Sequence, residues 1–143
     1  MTVRSGRCLC GQVQLSVRGE PLRVGICHCT NCRQESGSAF TYAALFSEGD
    51  VKLSGEHKAW RHKGDSGQWV ESHFCPVCGV TVFFHAEGFP GAIGVPAGCF
   101  AEDEGAARDG ALTPQRMYWA ERKREWVRGP EGVAEVVIEE RAV

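Results

Sequence analysis

The sequence lacks the hydrophobic segments of membrane and secreted proteins. No run approaches the roughly 20 apolar residues that a membrane-spanning helix requires. Residues 1–6 contain no apolar stretch of the kind found in a secretory signal. We therefore expect a cytoplasmic protein with no membrane partner. Thiols stay reduced in that compartment, which favours metal binding over disulfides for the cysteines of this chain.

An excess of charge of one sign is also absent. The formal net charge is -2 over 143 residues, which argues against a nucleic-acid partner bound through bulk electrostatics. The basic residues 122–124 are interpreted as part of a solvated face. The sequence shows no Ser/His/Asp set, no phosphate-binding glycine loop and no paired-carboxylate pattern, so its chemistry is sought in the cysteines.

Glycine is abundant, and its distribution indicates a mainly β fold. The 18 glycines separate short apolar runs, as expected for antiparallel strands joined by many turns. Residues 12–18 alternate polar and apolar side chains, and residues 64–67 form a predicted turn between the strands of a hairpin. Few helices are expected; short ones are predicted at 30–35 and 103–108, and a strand is predicted at 136–138.

Cysteine is the residue whose spacing points to chemistry. Seven of the 8 cysteines fall in three short clusters, at residues 8–10, 27–32 and 75–78. Sulfurs at such spacing suit tetrahedral coordination of a soft divalent metal, zinc first. Four disulfides are the alternative for an exported chain, but cysteines two residues apart on a strand do not readily bridge each other.

Two of the clusters combine into a four-sulfur site. Cys8 and Cys10, at positions i and i+2 of a strand, are expected to face one side. Cys75 and Cys78 are expected to lie in a zinc-knuckle turn that ends at Gly79. These four residues, the first cysteine set, would link the start of the chain to its middle. A closed four-sulfur site has no free metal position, so we interpret it as a structural zinc site.

The remaining cluster supplies three ligands and leaves one metal position open. We expect Cys27 and Cys29 to share a face, Cys32 to turn back towards them, and His28 to point away as a packed imidazole. Cys99 lies outside the clusters, and two roles remain open for it. It completes this second cysteine set (Cys27, Cys29 and Cys32) as a fourth ligand, or it is simply buried as a small apolar residue.

The cysteine clusters belong to longer motifs. These are Gly6-x-Cys8-x-Cys10-Gly11, Cys27-His28-Cys29-x-x-Cys32-Arg33, Ser36-Gly37-Ser38-Ala39-Phe40 and Phe74-Cys75-x-x-Cys78-Gly79. In this order and at this spacing they resemble the glutathione-dependent formaldehyde-activating enzyme family, which also includes centromere protein V. The resemblance implies a β-tent fold of small antiparallel sheets stabilised by zinc. We expect a single domain over residues 1–143, with a family-like core at about 3–128.

The resemblance also implies two zinc sites and a pair of substrates. The first cysteine set matches the structural zinc site, and Cys27, Cys29 and Cys32 match the active-site zinc. The implied partners are glutathione, or another small thiol, and formaldehyde or a related small aldehyde. The enzyme would join glutathione and formaldehyde as S-hydroxymethylglutathione. In the reverse direction, where the carbon–sulfur bond is cleaved, it is a carbon–sulfur lyase.

Two functions are compatible with these residues. As an enzyme, a metal held by three cysteines would bind a substrate thiol at its open position and lower the pKa of that thiol, whose sulfur then attacks the aldehyde. Arg33, Arg61 and Lys63 are candidates to hold carboxylates of the thiol substrate. If Cys99 closes the second cysteine set, or if that set proves empty and nonessential, the chain is instead a non-enzymatic zinc-binding scaffold or partner-binding module.

Overall fold

The chain folds into two β-sheets joined by short connections. The computed structural model describes residues 2–108 and 110–136, with the backbone alone at 107 and 134–136. The strands are β1 (Val3–Arg7), β2 (Gln14–Arg18), β3 (Arg23–Cys27), β4 (Thr41–Ser47), β5 (Val51–Ser54), β6 (Lys58–Lys63), β7 (Trp69–Phe74), β8 (Thr81–Ala86), β9 (Ala92–Pro96), β10 (Arg116–Tyr118) and β11 (Ala134–Val136). The prediction of a mainly β fold is confirmed.

The helices of the described ranges are short. Helix α1 (Thr30–Ser36) begins after Cys29, and helix α2 (Glu104–Ala107) begins after Asp103, whose carboxylate accepts a backbone hydrogen bond from the first turn. Both lie where the sequence predicts them. Single 3₁₀ turns occur at Glu48–Asp50, Ala97–Phe100, Gly110–Leu112 and Ala120–Arg122. Within the described residues, no helix has the length and hydrophobicity that a membrane crossing demands.

The smaller sheet contains three antiparallel strands in the order β1-β2-β5. Its central strand shows the alternation that the sequence predicts. Val13, Leu15 and Val17 are buried, whereas Gln14 and Arg18 are exposed. Period-2 patterning therefore places one face of this sheet against the core and the other in solvent.

The larger sheet has eight strands in the order β11-β10-β3-β4-β9-β8-β7-β6. Most neighbours are antiparallel, and β6 and β7 form the predicted hairpin. Strand β10 is different because it runs parallel to both β3 and β11. The predicted strand at 136–138 meets β11 at its first residue, and residues 137 and 138 lie outside the described ranges. The single domain over 1–143 stays a prediction.

One hydrophobic cluster connects the two sheets. Leu15 of the smaller sheet packs in the same cluster as Phe46, Val95 and Phe100, and the rings of Phe46 and Phe100 meet edge-on with centroids 6.1 Å apart. Each fully buried side chain of this kind contributes about 1.5–3 kcal/mol. Cys8 and Cys75 belong to this cluster. The first cysteine set is therefore built into the main core.

Candidate metal centres and active-site cleft

The first cysteine set brings together two turns that are distant in sequence. Its four sulfurs lie within 4.8 Å of one another. The Cys8 and Cys10 sulfurs are 3.7 Å apart, and the Cys10 and Cys75 sulfurs are 3.6 Å apart. A zinc–sulfur tetrahedron with bonds of about 2.3 Å has sulfur–sulfur edges of about 3.8 Å. The arrangement therefore fits a zinc ion closely.

Turns, and not strand faces, present these sulfurs. Strand β1 ends at Arg7, so the expectation that Cys8 and Cys10 lie on one face of a strand is wrong. A turn closed by the Gly11 N–H on the Cys8 carbonyl places both sulfurs on one side. In the second turn the Gly79 N–H donates to the Cys75 carbonyl, and both glycines have positive φ, 83° and 78°. Glycine adopts that conformation without a steric penalty.

Backbone N–H groups point at sulfurs of the first cysteine set, and at Cys78 they favour the thiolate form. The amides of Val77 and Cys78 donate to the Cys75 sulfur at 3.3 and 3.5 Å. Hydrogen bonds from the backbone N–H groups of Cys10 and Val80 lower the pKa of Cys78 to about 6. Thiolate is the form that binds metal. The fold thus prepares this set for a cation.

The second cysteine set comes from one short stretch of chain. Cys27 ends strand β3, Cys29 caps helix α1, and Cys32 lies in the first turn of that helix. Their sulfurs lie within 4.8 Å of one another. The Cys29 sulfur accepts a hydrogen bond from the Cys32 backbone N–H at 3.3 Å, which is the bond an N-cap normally makes. Helix capping therefore fixes the Cys29 sulfur at the start of helix α1.

The electrostatics of the second cysteine set also favour a bound cation. The Cys27 and Cys29 sulfurs accept hydrogen bonds from the Cys32 thiol and oppose its negative charge, and so raise its pKa far above the ordinary value. A divalent ion would relieve this repulsion and deprotonate the thiols outright. Among the described residues, no further histidine, cysteine or carboxylate joins the three sulfurs. The donor set fits zinc with one coordination position left over.

The structure places Cys99 away from the second cysteine set. Cys99 is buried in the main core with Cys8, and its sulfur contacts the Thr81 carbonyl oxygen at 3.6 Å. Burial raises its pKa to about 11, with a smaller contribution from Cys8. Of the two roles considered for Cys99, burial as a small apolar residue agrees with this placement.

His28 lies between two ligand candidates but does not join them. Its side chain is fully buried, and its ring centroid is 5.5 Å from that of Phe40. The His28 backbone N–H donates to the Tyr118 carbonyl at 3.0 Å. The packing against Phe40 is consistent with the packed imidazole expected from the sequence.

Tyr118, the last residue of strand β10, and Trp119, which follows it, pack against the second cysteine set. Tyr118 pairs with Cys27 in the parallel register, and its ring lies over Gly25, where a Cβ would be only 2.8 Å from a ring carbon. Trp119 packs in the same small cluster as the three cysteines. It has φ 54° and is the one non-glycine residue of the described chain with positive φ. Such backbone strain costs about 1–3 kcal/mol and often marks a functional site.

A cleft opens beside Cys29 and Cys32. It holds about 70 Å³ and is enclosed by helix α1, the hairpin β6–β7 and the segment that carries Trp119. Aromatic rings of Trp69, Phe89 and Trp119 form part of its wall. The polar residues of the wall are Asn31, Glu35, His62, Asp65, Ser66 and Gln68. The sequence contains no signal for this wall, because its residues come from separate parts of the chain.

An ion pair joins two sides of the cleft. Arg122 contacts the Asp65 carboxylate at 2.5 Å, and its guanidinium lies over the Trp119 ring at 4.0 Å. Asp65 is in the turn of the hairpin β6–β7, whereas Arg122 follows strand β10. A partly exposed pair of this kind contributes at most about 1 kcal/mol. It therefore holds the hairpin near Trp119 without locking it there.

The cationic residues predicted to bind substrate lie elsewhere. Arg33 donates to the Thr30 hydroxyl at 3.4 Å, and Arg61 pairs with Glu71 at 3.1 Å while stacking on the Trp69 ring. Lys63 is exposed. None of the three belongs to the cleft wall. Their contact with a substrate carboxylate stays a prediction.

Comparisons with known proteins agree with the cysteine motifs. A sequence model of the family described as glutathione-dependent formaldehyde-activating enzyme matches residues 3–122. No curated protein sequence matches the chain. Among solved structures, the crystal structure of a Rhodobacter sphaeroides protein is similar, with a TM-score of 0.55 and 18% identity over 92% of this chain and 99% of that chain. At this identity the likeness shows a shared fold.

Proposed function

Because the chain belongs to the glutathione-dependent formaldehyde-activating enzyme family, we propose that it is a zinc-dependent carbon–sulfur lyase. In the synthetic direction it would join glutathione or another small thiol to formaldehyde or a related small aldehyde. The observation that carries this proposal is the second cysteine set, whose three sulfurs lie together and two of whose members, Cys29 and Cys32, line a cleft. We further propose that the first cysteine set holds a structural zinc ion.

The residues around the cleft can prepare a thiol for reaction. Zinc, when bound by Cys27, Cys29 and Cys32, lowers the pKa of a neighbouring thiol so that it ionises near neutral pH. The wall residues Trp69 and Trp119 exclude water from the sulfur, which raises its reactivity towards a small electrophile. The role of the chain is therefore to hold, desolvate and orient the thiolate.

The bond changes are those of a simple addition. The thiolate sulfur donates its electron pair to the carbonyl carbon and forms a carbon–sulfur bond, while the carbonyl π electrons move to oxygen. That oxygen takes up the proton given up by the thiol, so the product is a hydroxyalkyl thioether. The amide side chains of Asn31 and Gln68, which line the cleft, can donate hydrogen bonds to the developing oxyanion. Reversal of these steps cleaves the carbon–sulfur bond.

One basis for the alternative, a non-enzymatic zinc scaffold, is closure of the second cysteine set by Cys99. Cys99 instead contacts Thr81 in the main core. This placement favours the enzyme over the scaffold. The reaction also requires reduced thiols, so we propose a cytoplasmic location.

The proposal is tested by following adduct formation from glutathione and ¹³C-formaldehyde by NMR exchange spectroscopy. Zinc-loaded protein should accelerate the exchange above its spontaneous rate. Cys32→Ser should abolish the acceleration, because it removes a ligand of the second cysteine set, whereas Cys99→Ala should retain it. Exchange at the spontaneous rate with fully zinc-loaded wild-type protein would exclude this activity for these substrates.

A further inference from the structure

The cleft beside the second cysteine set is small for a tripeptide thiol. Its volume is about 70 Å³, whereas pockets for drug-sized ligands measure at least about 300 Å³. The enclosed space therefore matches a thiol with a short carbon chain.

The charge of the cleft wall is negative. Glu35 and Asp65 line it, and no lysine or arginine of the described chain does. Asp65 is compensated by Arg122. The carboxylate of Glu35 accepts a hydrogen bond from the neutral Ser72 hydroxyl at 2.7 Å, and no cation of the described ranges forms an ion pair with it. Glu35 is therefore the uncompensated charge of this wall.

Glu35 is also well placed relative to the sulfurs. Cys32 and Glu35 are three residues apart on helix α1, and side chains at this spacing lie on one face with Cβ atoms about 5–6 Å apart. Consider a ligand whose sulfur reaches the second cysteine set. A group separated from that sulfur by a short carbon chain would then lie near the Glu35 carboxylate. A cation at that position is attracted and an anion is repelled.

We propose that the cleft selects small thiols that carry an ammonium group close to the sulfur, and that Glu35 is the residue that recognises this group. The chemical class is a short aminothiol, in contrast to a thiol recognised through its carboxylates. This inference rests on the proposed function, because it requires a thiol to bind at the second cysteine set.

Calorimetric titration of the zinc-loaded protein tests this selectivity. The probes are cysteamine, which is cationic, and 3-mercaptopropionate, which is anionic and of similar size. Wild-type protein should bind cysteamine about tenfold more tightly. These thiols differ in their own acidity, so the decisive quantity is the change in the affinity ratio when Glu35 is neutralised. Glu35→Gln keeps an acceptor for Ser72 and should reduce the ratio about threefold or more.

The matched control is Glu56→Gln, an exposed carboxylate outside the cleft wall. It should leave the ratio at the wild-type value. If Glu35→Gln does not fold, Glu35→Ala provides a second variant without the charge of this exposed residue, and the ratio should again fall. An unchanged ratio in the folded variant would overturn the role of the wall while leaving the proposed function intact. Failure of both thiols to bind wild-type protein that still accelerates exchange between glutathione and formaldehyde would overturn this inference alone. Failure of that exchange as well would overturn the proposed function.

Discussion

The two cysteine sets are similar in chemistry and opposite in construction. The first set joins two distant turns, and Cys8 and Cys75 are fully buried in the core that connects the sheets. The second set comes from residues 27–32 and packs with Tyr118 and Trp119 in a separate small cluster. Four sulfurs saturate a tetrahedral ion, whereas three leave a position open. On the proposed function, location in the core and ligand number are the two features that distinguish the structural zinc site from the reactive one.

The largest expected effect comes from removal of a sulfur in the first set. Cys75→Ser replaces a fully buried ligand and should lower the free energy of unfolding by more than about 4 kcal/mol, since it disrupts a metal site and leaves a polar group in the core. Urea unfolding followed by circular dichroism measures this loss. A variant as stable as wild type would contradict the structural role of the set.

Removal of a sulfur from the second set should affect function more than stability. Cys32→Ser should reduce the zinc content from two ions to one and abolish thiol binding, while the free energy of unfolding falls by only about 1–3 kcal/mol. Its helix lies outside the main core, so the sheets remain packed. Zinc analysis, calorimetry and urea unfolding on the same preparation separate these effects. Equal destabilisation by Cys32→Ser and Cys75→Ser would remove the distinction between the sets.

Gly25→Ala tests whether strand β10 supports the second set. The added Cβ would lie 2.8 Å from a ring carbon of Tyr118, so Tyr118 and Trp119 must shift, at a cost of about 1–3 kcal/mol. We expect weaker zinc binding at the second set, measured by competition with a chromophoric chelator. The control is Gly49→Ala, where a Cβ meets no atom within 4 Å. Similar zinc affinity in both variants would show that β10 does not support this set.

The smallest expected effect is that of Cys99→Ala. The variant should still bind two zinc ions and should lose about 1 kcal/mol of stability, because one buried sulfur atom is removed from the core. Elemental analysis and thermal unfolding measure the two quantities. Loss of one zinc ion would instead make Cys99 a ligand and favour the scaffold function.

The sequence predicts much of the fold because local patterns dominate it. Alternation over residues 12–18, the turn at 64–67 and the short helix at 30–35 are each encoded by neighbouring residues, and each is found in the structure. The parallel pairing of β10 with β3 was not predicted. That strand has three residues, too few for a periodic signal, and its place depends on contacts such as that between Tyr118 and Gly25.

The candidate site was partly predictable, because its cysteine motifs are also local patterns in the sequence. Cysteine spacing indicates both sets, because each turn needs two closely spaced ligands. The strand argument for Cys8 and Cys10 was wrong, because β1 ends before them. The roles of Trp119, Glu35 and Asp65 were missed, since the cleft forms only when separate turns meet. A glycine or asparagine would have indicated the left-handed backbone conformation at position 119. A tryptophan gives no such signal in the sequence.

X-ray absorption at the zinc edge, with a selenol analogue of cysteamine added, tests the open coordination position most directly. Selenium scatters differently from sulfur, so a ligand that enters the zinc shell is distinguished from the protein's own sulfurs. We predict a zinc–selenium contact at one of the two zinc ions in wild-type protein and its loss in Cys32→Ser. Two zinc ions surrounded only by protein ligands, with no selenium contact at saturating selenol, would contradict an open site at Cys27, Cys29 and Cys32.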